Sequence, residues 1–470
     1  MNPIAKRLFL LALVLRLIPV LLTIELPIGL DDMFHYDMLA RSLAAGNGFR
    51  WYAQPDLELL QSYVDLEPIG DYDPQGVLTS FRAPGYPAFL AVIYAVSGLQ
   101  WRFFAARLVQ AVLGATLAPM VYALGRRLFP QQPKAAAFAG GAVAIYPMLV
   151  IYPLALATEN LFIPLITAGL LVLLRATDKD DSRLFLLAGL LFGAATLTRS
   201  VIFAFVGLAA LWLFFLVKQR RGALLFGLAA FLVVLPWTIR NTLLHDQFTF
   251  VENSLGYNLH MGYHPEGRGS FQYGISLELM PYFDDAERNR LGIEAGLDFI
   301  RQDPGRVPQL MLNKLGFFFA LERRAITYFY SNNFFGYIPQ PALLALFLLF
   351  LAPWALLCLL AAVALPWLPL DRPRTLLFLL MGSYLAPHLL LLAEPRFHLA
   401  LVPSMALLAG HAWTQRRTLW AQARSQPVRG LLALALILLL CFNWGAELWR
   451  DADKLGALFG PEGNQTGFPY

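Results

Sequence analysis

Charged residues and cysteines are both scarce in this sequence. Asp, Glu, Lys and Arg make up 14% of its 470 residues, hydrophobic residues make up 58%, and the mean hydropathy is +0.56. This balance lies outside the range of soluble globular proteins and indicates a multi-pass membrane protein. The two cysteines, Cys358 and Cys441, both fall in hydrophobic runs. Their positions argue against a disulfide framework and against a zinc site built from cysteine.

Nucleotide-binding and hydrolase motifs are also missing. The sequence contains no P-loop, no GxGxxG fingerprint and no Ser-centred nucleophile elbow, so a soluble nucleotide cofactor finds no recognisable binding loop. No internal repeat is evident either, although many transporters are built from inverted repeats.

Hydrophobic runs long enough to cross a bilayer recur along the chain. A helix of about 20 residues spans a hydrocarbon core of about 30 Å. The pattern predicts an all-α polytopic protein with about eleven transmembrane helices, within a range of ten to thirteen. We place these spans at residues 7–28, 102–128, 135–153, 160–176, 183–198, 201–217, 222–238, 342–366, 375–393, 396–413 and 429–444.

Basic residues between the runs set the orientation. Lys6 and Arg7 precede the first span, which places the N-terminus in the cytoplasm and the following loop on the extracytoplasmic side. The formal charge of +5 therefore reflects the positive-inside rule rather than nucleic-acid binding. We divide the chain into a catalytic transmembrane module (1–240, with the first loop at 29–100), an extracytoplasmic loop region with interfacial helices (241–341), and C-terminal transmembrane helices with a short tail (342–470).

Two adjacent carboxylates, Asp31 and Asp32, follow the first span. Carboxylates beside hydrocarbon are costly, so they usually line a water-filled cavity or take part in chemistry. The segment from Asp31 to Ala45 has a helical pattern and ends at a glycine-rich stop beginning at Gly46. We predict that Asp32 is the general base, with Asp31 as the second candidate; one of the pair is alternatively only a helix cap.

Four arginines at the outer ends of spans break the positive-inside pattern, and we expect them to bind an anion. Guanidinium groups match phosphate oxygens and stabilise negative charge on a leaving phosphate. The alternative for each is contact with lipid headgroups. These residues are Arg82, Arg199, Arg240 and Arg396.

Other outer polar residues leave several roles open. Glu159, at a junction between two spans, is a candidate catalytic residue that would orient an acceptor; it would alternatively bind a metal with Asp32 or cap a helix. Four histidines on the same side are potential metal ligands, although no HExxH motif or close pair supports them: His35, His260, His264 and His398. A divalent metal is left open as a cofactor, and no other cofactor is predicted.

The order of short motifs along the chain is more specific than any one of them. Asp32 and Tyr36 precede Gly46-Asn47-Gly48-Phe49, and further motifs follow at Arg82-Ala83-Pro84-Gly85-Tyr86-Pro87, Gly125-Arg126-Arg127-Leu128-Phe129, Thr158-Glu159-Asn160-Leu161, Leu197-Thr198-Arg199, Pro236-Trp237-Thr238-Ile239-Arg240-Asn241 and Glu394-Pro395-Arg396-Phe397. This series resembles the GT-C class of polytopic glycosyltransferases, in the family 39-like branch that includes protein O-mannosyltransferases and lipid A aminoarabinose transferases.

The resemblance implies a reaction and a location. A sugar on a polyprenyl phosphate would be the donor, and transfer would go to a lipid, glycan or protein acceptor on the extracytoplasmic face of a prokaryotic plasma membrane. The catalytic aspartate of the family maps onto Asp32. Tyr36, Tyr86 and His398 complete the substrate-binding residues that we expect.

The sequence departs from the family pattern, and two other functions stay open. Aminoarabinose transferases carry an acid immediately before the basic residue that corresponds to Arg82, where this chain has Ser80-Phe81, which argues against a family metal site. Arg199 is followed by Ser200-Val201, where relatives often have Pro-Glu. A transporter or flippase of a lipid-linked intermediate would also use membrane-embedded arginines. A structural assembly subunit would tolerate replacement of Asp32 and the outer arginines.

Overall fold

The computed structural model describes residues 2–63, 72–323 and 338–460 and is almost entirely helical there. The only strands in these ranges, β1 (Arg50–Trp51) and β2 (Val77–Leu78), form a short antiparallel pair. The helices are α1 (Pro3–Leu22), α2 (Asp32–Ala44), α3 (Gln54–Gln61), α4 (Gly85–Ser97), α5 (Arg102–Ala115), α6 (Leu117–Leu128), α7 (Pro133–Ile145), α8 (Pro147–Ile151), α9 (Glu159–Lys179), α10 (Ser182–Thr198), α11 (Phe203–Leu211), α12 (Arg220–His245), α13 (Leu255–Tyr263), α14 (Tyr273–Leu277), α15 (Asp285–Gln302), α16 (Val307–Phe318), α17 (Gln340–Ala364), α18 (Arg372–Leu390), α19 (Val402–Ser425), α20 (Pro427–Arg450) and α21 (Ala452–Phe459).

Eleven helical segments lie at the predicted span positions. Among the described residues, six of them are long and apolar enough to cross a membrane: Arg102–Leu128, Glu159–Lys179, Ser200–Val217, Arg220–His245, Gln340–Trp367 and Pro427–Arg450. A seventh results if Pro133–Ile145 and Pro147–Leu154, bent by 52° to each other, form one span. The remaining four segments, in α1, α10, α18 and α19, are shorter or more polar. The prediction of an all-α polytopic membrane protein is confirmed.

A buried arginine stabilises the break in the bent span. Pro147 has no backbone N–H, so the carbonyl of Val143, one helical turn earlier, loses its usual partner. The fully buried side chain of Arg16 in α1 donates to that carbonyl at 3.2 Å and to the carbonyl of Ala144 at 3.0 Å. A backbone acceptor left without a partner inside a bilayer costs several kcal/mol. Arg16 therefore has a structural role between two helices.

Helices outside the predicted spans pack against one another and form a second layer. α2, α3 and α4 belong to the first loop, where the 13-residue α4 is too short to cross, as the sequence indicates. α13 to α16 follow α12 and lie in the region 241–341, where interfacial helices are predicted; α15 is an amphipathic helix of this region. Residues 324–337 and the last part of the C-terminal tail lie outside the described residues.

Ion pairs hold the first-loop helices together. Acidic side chains in a polar loop are normally solvated, but Asp56 in α3 is buried and accepts a hydrogen bond from Arg41 at 2.7 Å. Arg41 also donates to the buried carboxylate of Asp37 at 2.8 Å, and Arg102 at the start of α5 donates to the same carboxylate at 2.8 Å. This network joins α2 to both α3 and α5, so the helix that carries Asp32 is fixed at its far end.

Candidate active site

The two adjacent aspartates have different surroundings at the start of α2. Asp31 is the N-cap residue, and its side chain accepts a hydrogen bond from the amide of Met33 at 2.9 Å. Such caps satisfy one of the amides that a helix N-terminus leaves unpaired. Asp32 is the first helical residue and its carboxylate faces away from the helix backbone, toward two arginines. Asp31 therefore orients the helix, and Asp32 presents a carboxylate to its neighbours.

Arg82 and Arg396 bind the two oxygens of the Asp32 carboxylate. Arg82 donates to Oδ1, and Arg396 donates to Oδ2 at 2.6 Å. Burial by itself raises the pKa of Asp32, but the two guanidiniums outweigh burial and hold that pKa well below its usual range. The side chain of Asp32 is 24% exposed and that of Arg396 is 45% exposed, so solvent reaches this cluster from the Arg396 side.

His35, three residues after Asp32, is a hydrogen-bond acceptor. Its Nδ1 lies 3.0 Å from the Arg82 guanidinium. Because Arg82 can only donate, Nδ1 accepts and the proton of the neutral ring lies on Nε2. Burial and the charge of Arg82 lower the pKa of His35 to about 3, so the ring stays neutral at physiological pH. His35 thus orients Arg82 without adding charge.

A close approach between two chain segments brings a second ion pair next to the first. A Cβ on Gly85 would lie 2.8 Å from the carbonyl oxygen of Leu197 and 2.8 Å from the hydroxyl of Thr198. Only glycine fits there, so the start of α4 rests directly against the end of α10. Arg82 precedes this contact by three residues and Arg199 follows it by one. The two sequence motifs that contain these arginines therefore meet in space.

Arg199 pairs with Glu159 in this second contact. Arg199 donates to Oε1 of Glu159 at 2.6 Å and to the hydroxyl of Thr158 at 3.3 Å. Glu159 is the first residue of α9 and is only 3% exposed. The guanidinium of Arg199 also lies 4.9 Å from the ring centre of Phe397, the residue after Arg396. Glu159 therefore both begins its helix and pairs with Arg199.

Among the side chains that pair directly, there is one positive charge more than negative; Asp31, which lies near Arg396, is outside this count. Three guanidiniums, from Arg82, Arg199 and Arg396, face two carboxylates, from Asp32 and Glu159. An excess cation in a partly buried cluster is poised to bind an anion.

Tyr36 forms one wall of this cluster, and Tyr86 supports it. The Arg82 guanidinium lies 5.6 Å from the ring centre of Tyr36, and Tyr36 packs edge to face on Tyr86 at 5.1 Å. Tyr86 is completely buried and donates its hydroxyl to Gln110 at 2.5 Å. Tyr36 is therefore close to the charged groups, whereas Tyr86 holds Tyr36 in place from behind.

Two of the predicted site residues have their contacts elsewhere. Arg240 donates to the backbone carbonyl of Thr79 at 2.6 Å and packs on Trp237, so it supports the loop before Arg82. His398 is completely buried, stacks on Trp354 at 3.8 Å and contacts Glu322 at 3.0 Å. Neither residue contacts Asp32 in the described structure.

A residue that the sequence analysis missed positions the Arg82 loop. Asp285 is buried and accepts hydrogen bonds from the Thr79 hydroxyl and the Ser80 amide, both at 2.6 Å. Its neighbour Asp284 is the N-cap of α15. The chain thus repeats the pattern of the first loop, in which the first of two aspartates caps a helix and the second makes tertiary contacts. This repeated pair of aspartates is the sequence feature from which the role of Asp285 could have been predicted.

The contacts of Asp32 and Glu159 do not fit a divalent cation. Both oxygens of Asp32 face guanidiniums, Glu159 faces Arg199, and His35 faces Arg82. A metal bound there would lie against three positive charges. We therefore place no metal in this cluster.

Comparisons with known proteins give one family match and several structural matches. Residues 82–239 match the family model described as dolichyl-phosphate-mannose-protein mannosyltransferase. The match covers less than half of the chain and includes Arg82, Glu159 and Arg199, whereas Asp32 and Arg396 lie outside it. A search of curated protein sequences finds no match.

Solved structures resemble the chain over almost its whole length. The oligosaccharyltransferase of Archaeoglobus fulgidus, solved in complex with Zn and sulfate, has a TM-score of 0.50 at 17% identity and covers 98% of this chain and 56% of its own. Its apo form gives a TM-score of 0.51 at 15% identity, covering 98% and 58%. ArnT from Cupriavidus metallidurans, bound to undecaprenyl phosphate, gives 0.49 at 15% identity, covering 96% and 64%. The chain thus spans less than two thirds of the length of each of these structures.

These findings concern the fold of the chain. Its fold is similar to that of the archaeal oligosaccharyltransferase, in agreement with the resemblance predicted from the motifs. The segment with the Arg82, Glu159 and Arg199 motifs is similar to the mannosyltransferase family named above.

Proposed function

We propose that the protein transfers a sugar from a polyprenyl-phosphate donor to a hydroxyl or amine of an acceptor, which is a lipid, a glycan or a protein. One observation carries this proposal: Asp32 is bound between Arg82 and Arg396, beside the pair of Glu159 and Arg199. The description of the matched family names a lipid-phosphate-linked sugar, which supports a donor of this kind.

When the donor binds, its phosphate would replace the Asp32 carboxylate as the hydrogen-bond partner of the arginines. The cluster has one excess positive charge, and the half-exposed Arg396 is the most accessible cation. Bidentate guanidinium contacts with phosphate are short and charge-assisted, so Arg82 and Arg396 would turn toward the donor. Once the charges of the arginines are neutralised by phosphate, the pKa of Asp32 rises toward its ordinary value. Donor binding thereby makes Asp32 a better base.

The transfer step then needs no cofactor from the cluster. Asp32 accepts the proton of the acceptor hydroxyl or amine while that atom forms a bond to the anomeric carbon of the sugar. The bond from that carbon to the phosphate oxygen breaks, and the polyprenyl phosphate leaves with the electron pair. Arg82, Arg199 and Arg396 stabilise the charge that develops on the leaving phosphate. Attack opposite the leaving group inverts the configuration of the sugar.

The orientation forms part of the proposal. The residues of the cluster come from ends of spans that the positive-inside rule places on the extracytoplasmic face, and their contacts agree with a common side. We propose that the reaction takes place on that face of a prokaryotic plasma membrane, with the N-terminus in the cytoplasm. Labelling of cysteines introduced next to Asp56 and next to Arg416 with an impermeant reagent tests this orientation.

A pair of matched variants tests the reaction. The full chain is purified in detergent, supplied with polyprenyl-phosphate sugars and candidate acceptors, and the products are identified by mass spectrometry. Asp32→Asn removes the base, and we expect turnover to fall by about 10²- to 10⁴-fold. Asp31→Asn is the control, since asparagine is an equally good N-cap and should leave turnover close to wild type.

Three results would contradict the proposal. Near-normal turnover of Asp32→Asn would remove Asp32 from the chemistry, and equal losses in both aspartate variants would show that Asp32 has no role distinct from that of Asp31. Movement of the lipid between leaflets with no covalent product would instead identify a flippase.

A further inference from the structure

A second group of metal-ligating side chains lies in the second layer of helices, on elements that do not carry Asp32. His260 lies in α13, His264 follows the last residue of that helix, and Glu278 follows the last residue of α14. One ligand atom from each residue lies within 4.8 Å of the others. We propose that these three residues bind a zinc ion that joins α13 to α14.

The distances within this group suit a tetrahedral ion. Zinc bonds to nitrogen and oxygen are about 2.0–2.1 Å, so neighbouring ligands in a tetrahedron lie about 3.3 Å apart. Nε2 of His260 is 3.0 Å from Oε2 of Glu278, and Nε2 of His264 is 3.4 Å from Oε1. The two nitrogens are four residues apart along one helix, which is the spacing that places side chains on one face. The third distance joins the two Nε2 atoms. Small rotations of the less buried side chains, Glu278 and His264, would bring this distance to the value that a tetrahedron requires.

The ligand types select the metal. Two imidazole nitrogens and one carboxylate favour zinc and similar transition metals, whereas magnesium and calcium prefer oxygen ligands. Three protein ligands leave the fourth position of a tetrahedron to water. Glu278 has a side chain that is 47% exposed, so an ion reaches the group from solvent.

The hydrogen bonds of the two histidines are compatible with metal binding. A ring that binds a metal through Nε2 carries its proton on Nδ1. Nδ1 of His260 has no hydrogen-bond partner in the described structure and can carry that proton. Nδ1 of His264 accepts the Glu266 amide at 3.3 Å, a long contact that has to open. Phe299 packs against both imidazole rings, at 5.6 and 5.3 Å, and limits their rotation.

The ion would stabilise the layer next to the Asp32 cluster. Tyr257 lies one turn before His260 in α13, and its ring packs edge to face on Phe81 at 5.4 Å. Phe81 directly precedes Arg82 and occupies the position where aminoarabinose transferases carry an acid. The ligand set proposed here is therefore made only of residues from the later loop. Its role is to fix α13, and with it Tyr257, against the Arg82 loop.

Zinc itself is the probe for the test. The purified full chain is stripped with a chelator, titrated with Zn²⁺, and analysed for bound metal by inductively coupled plasma mass spectrometry. We expect one equivalent per wild-type chain and a loss of affinity of at least about tenfold in Glu278→Ala and in His264→Ala. Glu278→His replaces one metal ligand by another, and this variant should still bind one equivalent of zinc. Glu266→Gln removes a neighbouring exposed carboxylate and should not change the affinity.

A spectroscopic measurement on the wild-type chain avoids any dependence on variant folding. Co²⁺ in a four-coordinate site with two imidazoles absorbs strongly in the visible range, whereas Co²⁺ bound by six oxygens absorbs weakly. Strong absorption that Zn²⁺ displaces supports the site. Absence of a bound equivalent in the wild type, or an unchanged equivalent in the double variant Glu278→Ala, His264→Ala, would overturn it. These measurements record metal and not turnover, so they stand apart from the transfer reaction.

Discussion

Replacement of Gly85 by alanine tests the contact that joins the two ion pairs. The new Cβ would lie 2.8 Å from the carbonyl oxygen of Leu197 and from the hydroxyl of Thr198, and 2.9 Å from the carbonyl carbon of Leu197. Ordinary contacts of a Cβ begin at 3.4 Å. The main obstacle is backbone, which cannot rotate away as a side chain does. The start of α4 and the end of α10 must therefore separate by about 0.6 Å, the difference between these distances.

Two effects follow from that separation. Forcing an extra methyl group into a packed contact lowers the free energy of unfolding by about 1–3 kcal/mol. Turnover of the folded protein should fall as well, because Arg82 moves relative to Arg199 and a displacement of about 1 Å in a catalytic constellation can cost about 10²-fold. We expect turnover of Gly85→Ala to fall by about tenfold or more.

The assay compares stability and turnover in the same preparations. Denaturation in mixed micelles gives the free energy of unfolding, and transfer at saturating donor gives kcat. Gly227→Ala is the control, since no atom lies within 4 Å of the new Cβ in α12 and alanine favours a helix by about 0.5–1 kcal/mol. Wild-type kcat in Gly85→Ala, or equal effects of the two substitutions, would refute the argument that this contact aligns the arginines.

Three further predictions concern the charged cluster. Glu159→Leu leaves the guanidinium of Arg199 buried without a carboxylate and should lower the free energy of unfolding by about 3–5 kcal/mol. Glu159→Gln keeps a hydrogen-bond acceptor and should lower it less. Equal losses of the two variants in denaturation experiments would argue against the ion pair. His35→Leu removes an acceptor of Arg82 and should reduce kcat/KM, while His35→Asn keeps an acceptor oxygen and should recover most of it. Because the pKa of Asp32 lies well below its usual range, the carboxylate stays ionised as the pH falls, and kcat/KM should show no acidic limb from Asp32 above about pH 4. Arg82→Gln removes a cation and raises the pKa of Asp32, so the acidic limb of the kcat/KM profile should move to higher pH than in the wild type. An acidic limb at the same pH in both proteins would exclude Asp32 as the titrating base.

The sequence predicted the fold well because membrane proteins obey few, strong rules. Hydrophobic length and basic flanks are local properties, and they located helical segments at all eleven predicted positions. The bend at Pro147 was harder to predict from the sequence, because the residue that stabilises it, Arg16, lies far away along the chain. Whether such an arginine meets another helix or the headgroups depends on packing and not on its own neighbours.

The site was predicted less completely, for the same reason. Arg82, Arg199, Arg240 and Arg396 look alike in sequence, since each ends or precedes a span, yet Arg240 binds a backbone carbonyl instead of joining the cluster. The difference between Asp31 and Asp32 depended on the residue at which α2 begins, which patterns fix only to within a few residues.

The group of His260, His264 and Glu278 was not predicted from the sequence, for a different reason. His260 and His264 are four residues apart in the sequence, but they were not recognised as a pair that could bind a metal. The contribution of Glu278 was not visible in the sequence, because a separate helix brings it there. Tertiary contacts of this kind have no local signal.

The salt bridges of Asp32 also bear on how the protein is made. One partner, Arg82, is synthesised soon after the aspartate, whereas the other, Arg396, emerges only after most of the spans have entered the membrane. A ribosome-bound chain therefore carries an incomplete pocket for nearly the whole of translation. Only a product whose late helices have docked correctly can bind both oxygens of that carboxylate, so correct insertion of the whole bundle becomes a precondition for binding an anion there.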